Sequence, residues 1–379
     1  MLTGSHIDAI PLSGKYDGTL GVAAPLEAIR SLQEAGFKPR RSIEVVAFTS
    51  EEPTRFGLSC LGSRAMAGKL SVEDAAQLVD ADGMQMVDVV RRGVQDLAAR
   101  RRGDETTDDE VTHSGERGHL EDMLESVRAD ATERFSSFVE LHMEQGPVLE
   151  KEGIDLGIVE GIAAPRYTTF TFTGPGGHAG TVLMSVRHDP LIAASQLAVE
   201  VERSVLEIGG TDTVATVGKM DISPGAVNSV PRDVTVHLDL RDVDQDRRER
   251  VMFVIERKAQ SIASTRGVGL SITHVSLDPA MIASQEVLAK IEDAVSGTSA
   301  RVREGEVTMQ RMISRAYHDS TFIGQFVPSA MVFVPCRNGW SHRPDEFVSE
   351  DAIAVGTEAL ARSLVALAGG TWTKADDEL

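Results

Sequence analysis

Ser42-Ile43-Glu44-Val45-Val46-Ala47-Phe48-Thr49-Ser50-Glu51-Glu52 is an apolar, β-branched run that stops on two adjacent carboxylates. Ser42 to Phe48 reads as a strand, because Val and Ile crowd a helix but pack well on a pleated surface. Just upstream, Asp17-Gly18 opens an Ala- and Leu-rich stretch that reads as helix as far as Ala35-Gly36. Helix feeding strand is α/β grammar. Ligands of open α/β sheets collect beyond the carboxyl ends of the strands, so the acidic pair falls where chemistry is expected.

Downstream, a further helix is expected from Glu52 through Met66. The charged segment Asp96 to Arg134, with Arg100-Arg101-Arg102 and Asp108-Asp109-Glu110, reads as surface helix and loop. Phe138 to Leu141 is a short strand ending at His142. The grammar then changes to strand (Tyr167 to Thr173), helix (Pro190 to Leu206), strand (Thr213 to Lys219), strand (Asp233 to Arg241), helix (Arg247 to Ser264) and strand (Leu270 to Leu277). That βαββαβ order is ferredoxin-like. Its clearest strand alternates, with Val234, Val236, Leu238 and Leu240 on one face and His237, Asp239 and Arg241 on the other. The α/β pattern resumes with helix Gln285 to Val295, the segment Ser314 to Ser320, strand Ala330 to Pro335 and helix Glu350 to Ala368. A domain of residues 164–277 therefore reads as an insertion into a discontinuous one of 1–163 and 278–379, as a chain of 379 residues leads one to expect.

With 58 acidic against 38 basic residues and a formal net charge of -20, the chain lacks the excess of Lys and Arg that a nucleic-acid backbone requires. Two cysteines, Cys60 and Cys336, offer neither a disulfide framework nor a thiolate zinc cluster. No apolar stretch approaches the roughly 20 residues that span a bilayer. No signal peptide is visible at Met1-Leu2-Thr3-Gly4-Ser5-His6, so a cytoplasmic location is expected. His6 stands close to the terminus with almost no strand before it.

Four acidic or histidine motifs follow apolar runs: His6 to Asp17, Glu51-Glu52, His142 and His342. Nitrogen and oxygen ligands converging on one sheet edge suit divalent Zn, Mn, Co or Ni. Five side chains exceed the need of one tetrahedral ion, so two ions are expected, with Asp17 the candidate bridge. Of Glu51 and Glu52, one can ligate while the other stays free as a general base. Alone, that pair after Thr49-Ser50 reads far sooner as a capped helix start; the joint placement of four motifs favours metal. His113, His119, His188, His237 and His274 are assigned to structure. Gly174-Pro175-Gly176-Gly177-His178-Ala179-Gly180 is not a phosphate loop, since no Gly-Lys-Ser/Thr follows; its glycines either make a tight turn or let His178 reach a substrate oxygen. Asn228 in a Pro-Gly-rich turn and Arg241 at a strand end read singly as a turn former and a surface charge; as a pair facing the cleft they would hold a small carboxylate. Cys336 as a nucleophile has no motif context.

At Gly4-Ser5-His6-Ile7-Asp8, Gly14-Lys15-Tyr16-Asp17-Gly18, Glu51 through Gly68, Glu140 through Pro147, Gly177-His178-Ala179-Gly180, Asn228-Ser229-Val230-Pro231 and Ser341 through Glu346, the sequence resembles the amidohydrolase branch of the dinuclear metallo-exopeptidases. That branch includes N-carbamoyl-L-amino-acid, allantoate and ureidoglycolate amidohydrolases. Glu52 to Gly57, Met312 to Ser320 and Cys336 to His342 are most similar to the ureidoglycolate-cleaving members. The resemblance implies a metallo-exopeptidase-like catalytic domain with a mixed sheet and an inserted ferredoxin-like dimerisation and lid domain. It implies two ions, manganese by family habit, held by His6, Asp17, Glu52, His142 and His342, with Glu51 as base. It implies substrate contacts from Gln145, Asn228, Arg241 and His318, and His178 stabilising the tetrahedral intermediate across a homodimer interface. The implied reaction takes (S)-ureidoglycolate to glyoxylate, ammonia and carbon dioxide in purine catabolism, with allantoate or an N-carbamoyl-L-amino acid as alternatives and an inactive member as a third reading. Family members carry a segment before the Gly-Ser-His motif, so the start is expected to be cut short, with the endoplasmic reticulum the alternative compartment if a plant-type signal belongs there.

Overall fold

The computed structural model describes residues 1–102, 116–128, 134–296 and 306–372. Asp108-Asp109-Glu110 and His113 lie outside them, as does the side chain of His119. In chain order the elements are β1 (Leu2–His6), α1 (Leu20–Glu34), β2 (Phe37–Pro39), β3 (Glu44–Phe48), α2 (Leu61–Met66), α3 (Val72–Gln77), α4 (Met86–Arg102), α5 (Glu116–Arg128), β4 (Phe138–Met143), α6 (Val148–Glu152) and β5 (Leu156–Ile162). There follow β6 (Ala164–Thr173), β7 (Gly177–His178), α7 (Pro190–Ile208), β8 (Val214–Ser223), β9 (Ser229–Val230), β10 (Asp233–Asp242), α8 (Gln245–Arg266), β11 (Gly269–Leu277) and β12 (Met281–Ile282). The chain closes with α9 (Gln285–Val295), β13 (Met309–Ser314), α10 (Ser320–Ile323), β14 (Ser329–Val334), α11 (Glu350–Ala368) and β15 (Gly370–Trp372). No helix among the described residues is long and apolar enough to cross a membrane.

The chain packs as two compact units, Met1–Glu160 with Ala283–Met312 and His318–Leu379, and Gly161–Ile282 with Ile313–Tyr317. In the first, the strands run β5-β14-β4-β1-β3, with β14, β4, β1 and β3 parallel and β5 antiparallel. β1 therefore sits inside the sheet, paired from Leu2 opposite Glu44 to His6 opposite Phe48, and all five of its residues are buried. This corrects the expectation that His6 has almost no strand to hold it. Five residues suffice because neighbours on both sides supply the hydrogen bonds, while Leu2 packs among Phe48, Phe138 and Ile323. The parallel register ends β1 at His6 and sets His142 of β4 opposite Phe333 of β14, so both imidazoles leave the sheet at its carboxyl end.

The helix expected directly after Glu52 is displaced. α2 begins only at Leu61, after Cys60 in a left-handed conformation (φ 57°). The N–H groups of Cys60, Leu61 and Gly62 donate back to the carbonyls of Glu51, Ser50 and Thr49 at 2.8, 2.9 and 3.0 Å. Donors that a helix start normally leaves without partners thus anchor the acidic segment, and Glu51-Glu52 is no helix cap.

In the second unit the antiparallel order is β11-β6-β10-β8, with α7 and α8 packed on it, the ferredoxin-like arrangement. Val234, Val236, Leu238 and Leu240 all face its core. α7 begins where Asp189 caps the N–H groups of Leu191 and Ile192, and Pro190 takes the first turn, where no donor is missed. Residues 313–317 belong to this unit, unlike the span 164–277 read from sequence. They are tied in by the Ala163 N–H donating to Ser314 O (2.8 Å), Arg241 Nη1 donating to Arg315 O (3.1 Å) and the Arg315–Asp212 ion pair (2.6 Å).

Gly4 has φ +149°, and a Cβ there would lie 1.9 Å from Val46 O. Gly4→Ala must both strain the backbone and part β1 from β3, at about 3 kcal/mol or more. Urea denaturation should show that loss as a lower midpoint with unchanged slope; a midpoint equal to wild type would contradict the β1 register.

Candidate metal centre

His6 closes β1 and its ring is set by its own chain, with Nδ1 3.0 Å from the Asp8 carbonyl oxygen. His142 Nδ1 lies likewise 2.9 Å from the Met143 carbonyl oxygen. A carbonyl only accepts, so each Nδ1 bears a proton and Nε2 is the nitrogen left to ligate. Both Nε2 atoms converge on Asp17 at the head of α1. His142 Nε2 is 3.2 Å and His6 Nε2 3.7 Å from Asp17 Oδ1. From the other side, His342 Nε2 is 3.3 Å from Asp17 Oδ2 and 3.2 Å from Glu52 Oε1. His6, Asp17 and His142 form one group able to hold a metal ion, and Asp17, Glu52 and His342 a second. Asp17 is common to both and turns one oxygen to each.

The supports of this centre are other side chains. Glu346 Oε1 accepts from the N–H groups of Tyr16 and Asp17, both at 3.0 Å. Asp8 accepts from Glu51 N–H (3.1 Å) and Glu52 N–H (3.0 Å) through separate oxygens. Gln145 Nε2 and Ser341 Oγ each donate to Asp17 Oδ2 at 2.9 Å. Gly18 has φ +67°, and a Cβ on it would lie 2.3 Å from the His6 ring, so the Asp17-Gly18 pair also sets how closely that imidazole approaches.

Burial should neutralise Asp17, but hydrogen bonds from His142, His342 and His6 outweigh it and hold the carboxyl far below the usual range. Burial likewise opposes charge on His6, yet Asp17, Glu51 and Asp319 together carry its pKa up to about 10. Asp17 and Glu52 raise His342 to about 10 against a smaller desolvation. Glu51 is pushed up to about 7, first by burial, with His6 opposing and Glu52 and Asp17 adding to the rise. Such a cluster takes up positive charge readily, and a divalent ion replaces the protons that the imidazoles otherwise hold. The donor set of imidazole nitrogens and carboxylate oxygens, with preset tautomers, fits Mn, Zn, Co or Ni.

A third group, Glu140, His142 and His318, is equally compact and wholly buried. Its Glu140 is already engaged by Ser5 Oγ (2.7 Å), Ser320 Oγ (2.6 Å) and Ser320 N–H (3.3 Å), so it reads as support for His142. His318 is buried edge-on to His142, ring centres 4.7 Å apart. Gln145 Nε2 contacts Asp17, while its Oε1 is buried without a protein partner.

The other sequence candidates lie on the second unit. β7 pairs with β9, which brings His178 opposite Ser229, and Ala179 N–H donates to Asn228 O (2.9 Å). His178 and Asn228, remote in sequence, share one small ribbon. Gly180 N–H donates to His178 Nδ1 (3.1 Å), leaving Nε2 as the protonated, donating nitrogen. Arg241 is gripped by Asp239 (2.8 and 3.0 Å). Burial raises the Cys336 thiol to about 11, which makes it a poor nucleophile. His188, His237 and His274 contact Arg266 O, Asp221 and Arg166 respectively. Sequence reasoning gave no role to Asp8, Glu140, Ser341 or Glu346, although all four lie in stretches already singled out.

The family model for peptidase family M20/M25/M40 matches residues 2–366. The chain belongs to this family. It is 44% identical over 366 residues to a ureidoglycolate hydrolase of Oryza sativa subsp. japonica, covering 96% of this chain and 70% of that one. It is 34% identical over 365 residues to an N-carbamoyl-L-amino-acid amidohydrolase of Pseudomonas sp. (strain NS671), covering 96% and 81%. Among solved structures, that of AtUAH in complex with glyoxylate matches with a TM-score of 0.77 at 42% identity, covering 97% of this chain and 81% of that one. M20 enzymes are metal-dependent hydrolases, and this member presents grouped metal-ligand side chains.

If Asp17 serves both groups, Asp17→Ala abolishes both sites, whereas His342→Ala spares His6, Asp17 and His142. Elemental analysis of the purified variants should find almost no metal in the first and about one ion per chain in the second. Equal losses in both would contradict two groups sharing one carboxylate.

Proposed function

We propose that this chain is a two-metal amidohydrolase that cleaves a ureido C–N bond, with (S)-ureidoglycolate as its substrate. The observation that carries the reading is the sharing of Asp17 by two ligand groups while Glu51, beside them, belongs to neither. The relatives named ureidoglycolate hydrolase, and the glyoxylate in the AtUAH structure, support the choice of substrate.

Divalent ions held by His6, Asp17 and His142 and by Asp17, Glu52 and His342 would supply Lewis acidity, acidifying water and polarising the ureido carbonyl. We take manganese as the metal, on the resemblance alone. Glu51, whose Oε2 faces His6 Nε2 at 3.9 Å, takes the proton of the attacking water in this reading. Attack at the ureido carbonyl forms the new C–O bond, and Glu51 returns the proton to the departing nitrogen. The fragments are carbamate, which decays to ammonia and carbon dioxide, and hydroxyglycine, which loses ammonia to give glyoxylate. His178, with Nε2 as donor, stabilises the oxyanion, an effect worth about 3 kcal/mol for one donor. Asn228 and Arg241 hold the substrate carboxylate, and Gln145 and His318 complete its contacts.

The active form is a homodimer built on the second unit. β8 ends its sheet with Val214 and Ile222 exposed, an edge open to a second copy. Sedimentation at micromolar concentration should give twice the chain mass; a monomer would remove the dimer and any role for His178 across it.

With manganese supplied, the enzyme should convert (S)-ureidoglycolate to glyoxylate and ammonia faster than it hydrolyses allantoate or N-carbamoyl-L-amino acids. Glu51→Gln should lower kcat by about a thousandfold or more with metal content intact. Preference for another member of the panel would reassign the substrate, and near wild-type turnover by the Gln variant would dismiss Glu51 as base.

A further inference from the structure

Glu51 has two carboxylate oxygens, and the structure treats them differently. Oε2 faces the His6 imidazole, whereas Oε1 accepts from the thiol of Cys60 at 3.3 Å. Cys60 is wholly buried. A thiol is a weak donor, but a carboxylate acceptor and a buried setting strengthen the bond.

The chain goes to some trouble to put the thiol there. Cys60 holds a left-handed conformation (φ 57°, ψ 36°), one that costs a non-glycine residue about 1 kcal/mol or more. Its N–H donates to the Glu51 carbonyl at 2.8 Å, so backbone and side chain grip the same residue. Ser63 Oγ lies between the Cys60 carbonyl oxygen (3.2 Å) and Asp319 Oδ1, which fixes the turn from behind. A glycine would fit this conformation more comfortably but would bring no donor to Glu51.

We propose that Cys60 is a positioning residue for the reaction: its thiol anchors Glu51 Oε1, so that Oε2 alone is presented to the attacking water. The anchoring removes rotation about the terminal bond of Glu51, which would otherwise divide the base between productive and unproductive orientations. Proton transfer is steep in geometry, and a small misplacement of a catalytic group lowers the rate without altering substrate affinity. The inference rests on the reading of Glu51 as base.

The test compares Cys60→Ala, Cys60→Ser and Glu51→Gln in the metal-loaded enzyme, measuring kcat, KM and metal content. Cys60→Ala should lower kcat about tenfold with KM and metal content unchanged. Cys60→Ser keeps a donor and should recover most of that loss. An infrared difference spectrum of wild type minus Cys60→Ala isolates one S–H stretch, and Glu51→Gln should move that band toward the frequency of a weaker hydrogen bond. Wild-type kcat in Cys60→Ala, equal losses in the Ala and Ser variants, or a loss that tracks metal content would each overturn the role of Cys60. Those outcomes, with Glu51→Gln inactive, leave the base assignment standing; an active Glu51→Gln overturns that assignment and this inference with it.

Discussion

The buried carboxylate of Asp17, faced by three imidazoles, is the constraint on which the first unit depends. An ionised group this far from water is tolerated only when paired and hydrogen-bonded. Asp17 meets both conditions through partners drawn from the whole length of the unit: His6 from β1, His142 from β4, and Gln145, Ser341 and His342 from later loops. No local segment could gather them. The parallel register of β1, β4 and β14 does so by ending these strands along one edge, so the fold is the means by which a costly charge is kept.

The same economy explains how two adjacent glutamates acquire different surroundings. In a helix, neighbours in sequence point about 100° apart and share one environment by degrees. Here both N–H groups are clamped by the two oxygens of Asp8, and the chain is non-helical until Leu61. Glu52 is thereby turned to His342 and Glu51 to His6 and Cys60. The displaced start of α2 goes with that separation, since a helix running through Glu52 would have fixed both side chains at helical spacing on one surface.

Much of this was readable from the residues, and the limits have physical causes. Periodicity located α1, β3, β10 and α11 to within a few residues, because apolar spacing survives without knowledge of partners. β1 was hidden because Leu2-Thr3-Gly4-Ser5-His6 contains small and polar residues whose burial depends on both neighbouring strands. Gly4 clears the Val46 carbonyl, a need set by the neighbouring strand and not by any local pattern. Ligand types were legible as His, Asp and Glu after apolar runs. Asp8 and Glu346 were not, because a carboxylate that binds backbone N–H groups has no spacing rule and resembles any surface acid. Residues 313–317 were misplaced for a related reason: their allegiance is set by hydrogen bonds to Ala163 and Arg241, far away in sequence.

Arg241 shows how such hidden partners bear on a proposed role. Read from sequence, it was a free cation at a strand end. In the structure burial works against its charge, but Asp239, and to a lesser degree Tyr167, more than restore it, and the Arg315 carbonyl takes a further N–H. In the role proposed for Arg241, a carboxylate would meet a guanidinium whose orientation is already fixed, so little side-chain entropy would be lost on binding. It would also meet the negative charge of Asp239 close by, which offsets part of the Coulomb attraction. In the role proposed for it, a guanidinium held in this way would suit a small carboxylate that approaches from the side away from Asp239.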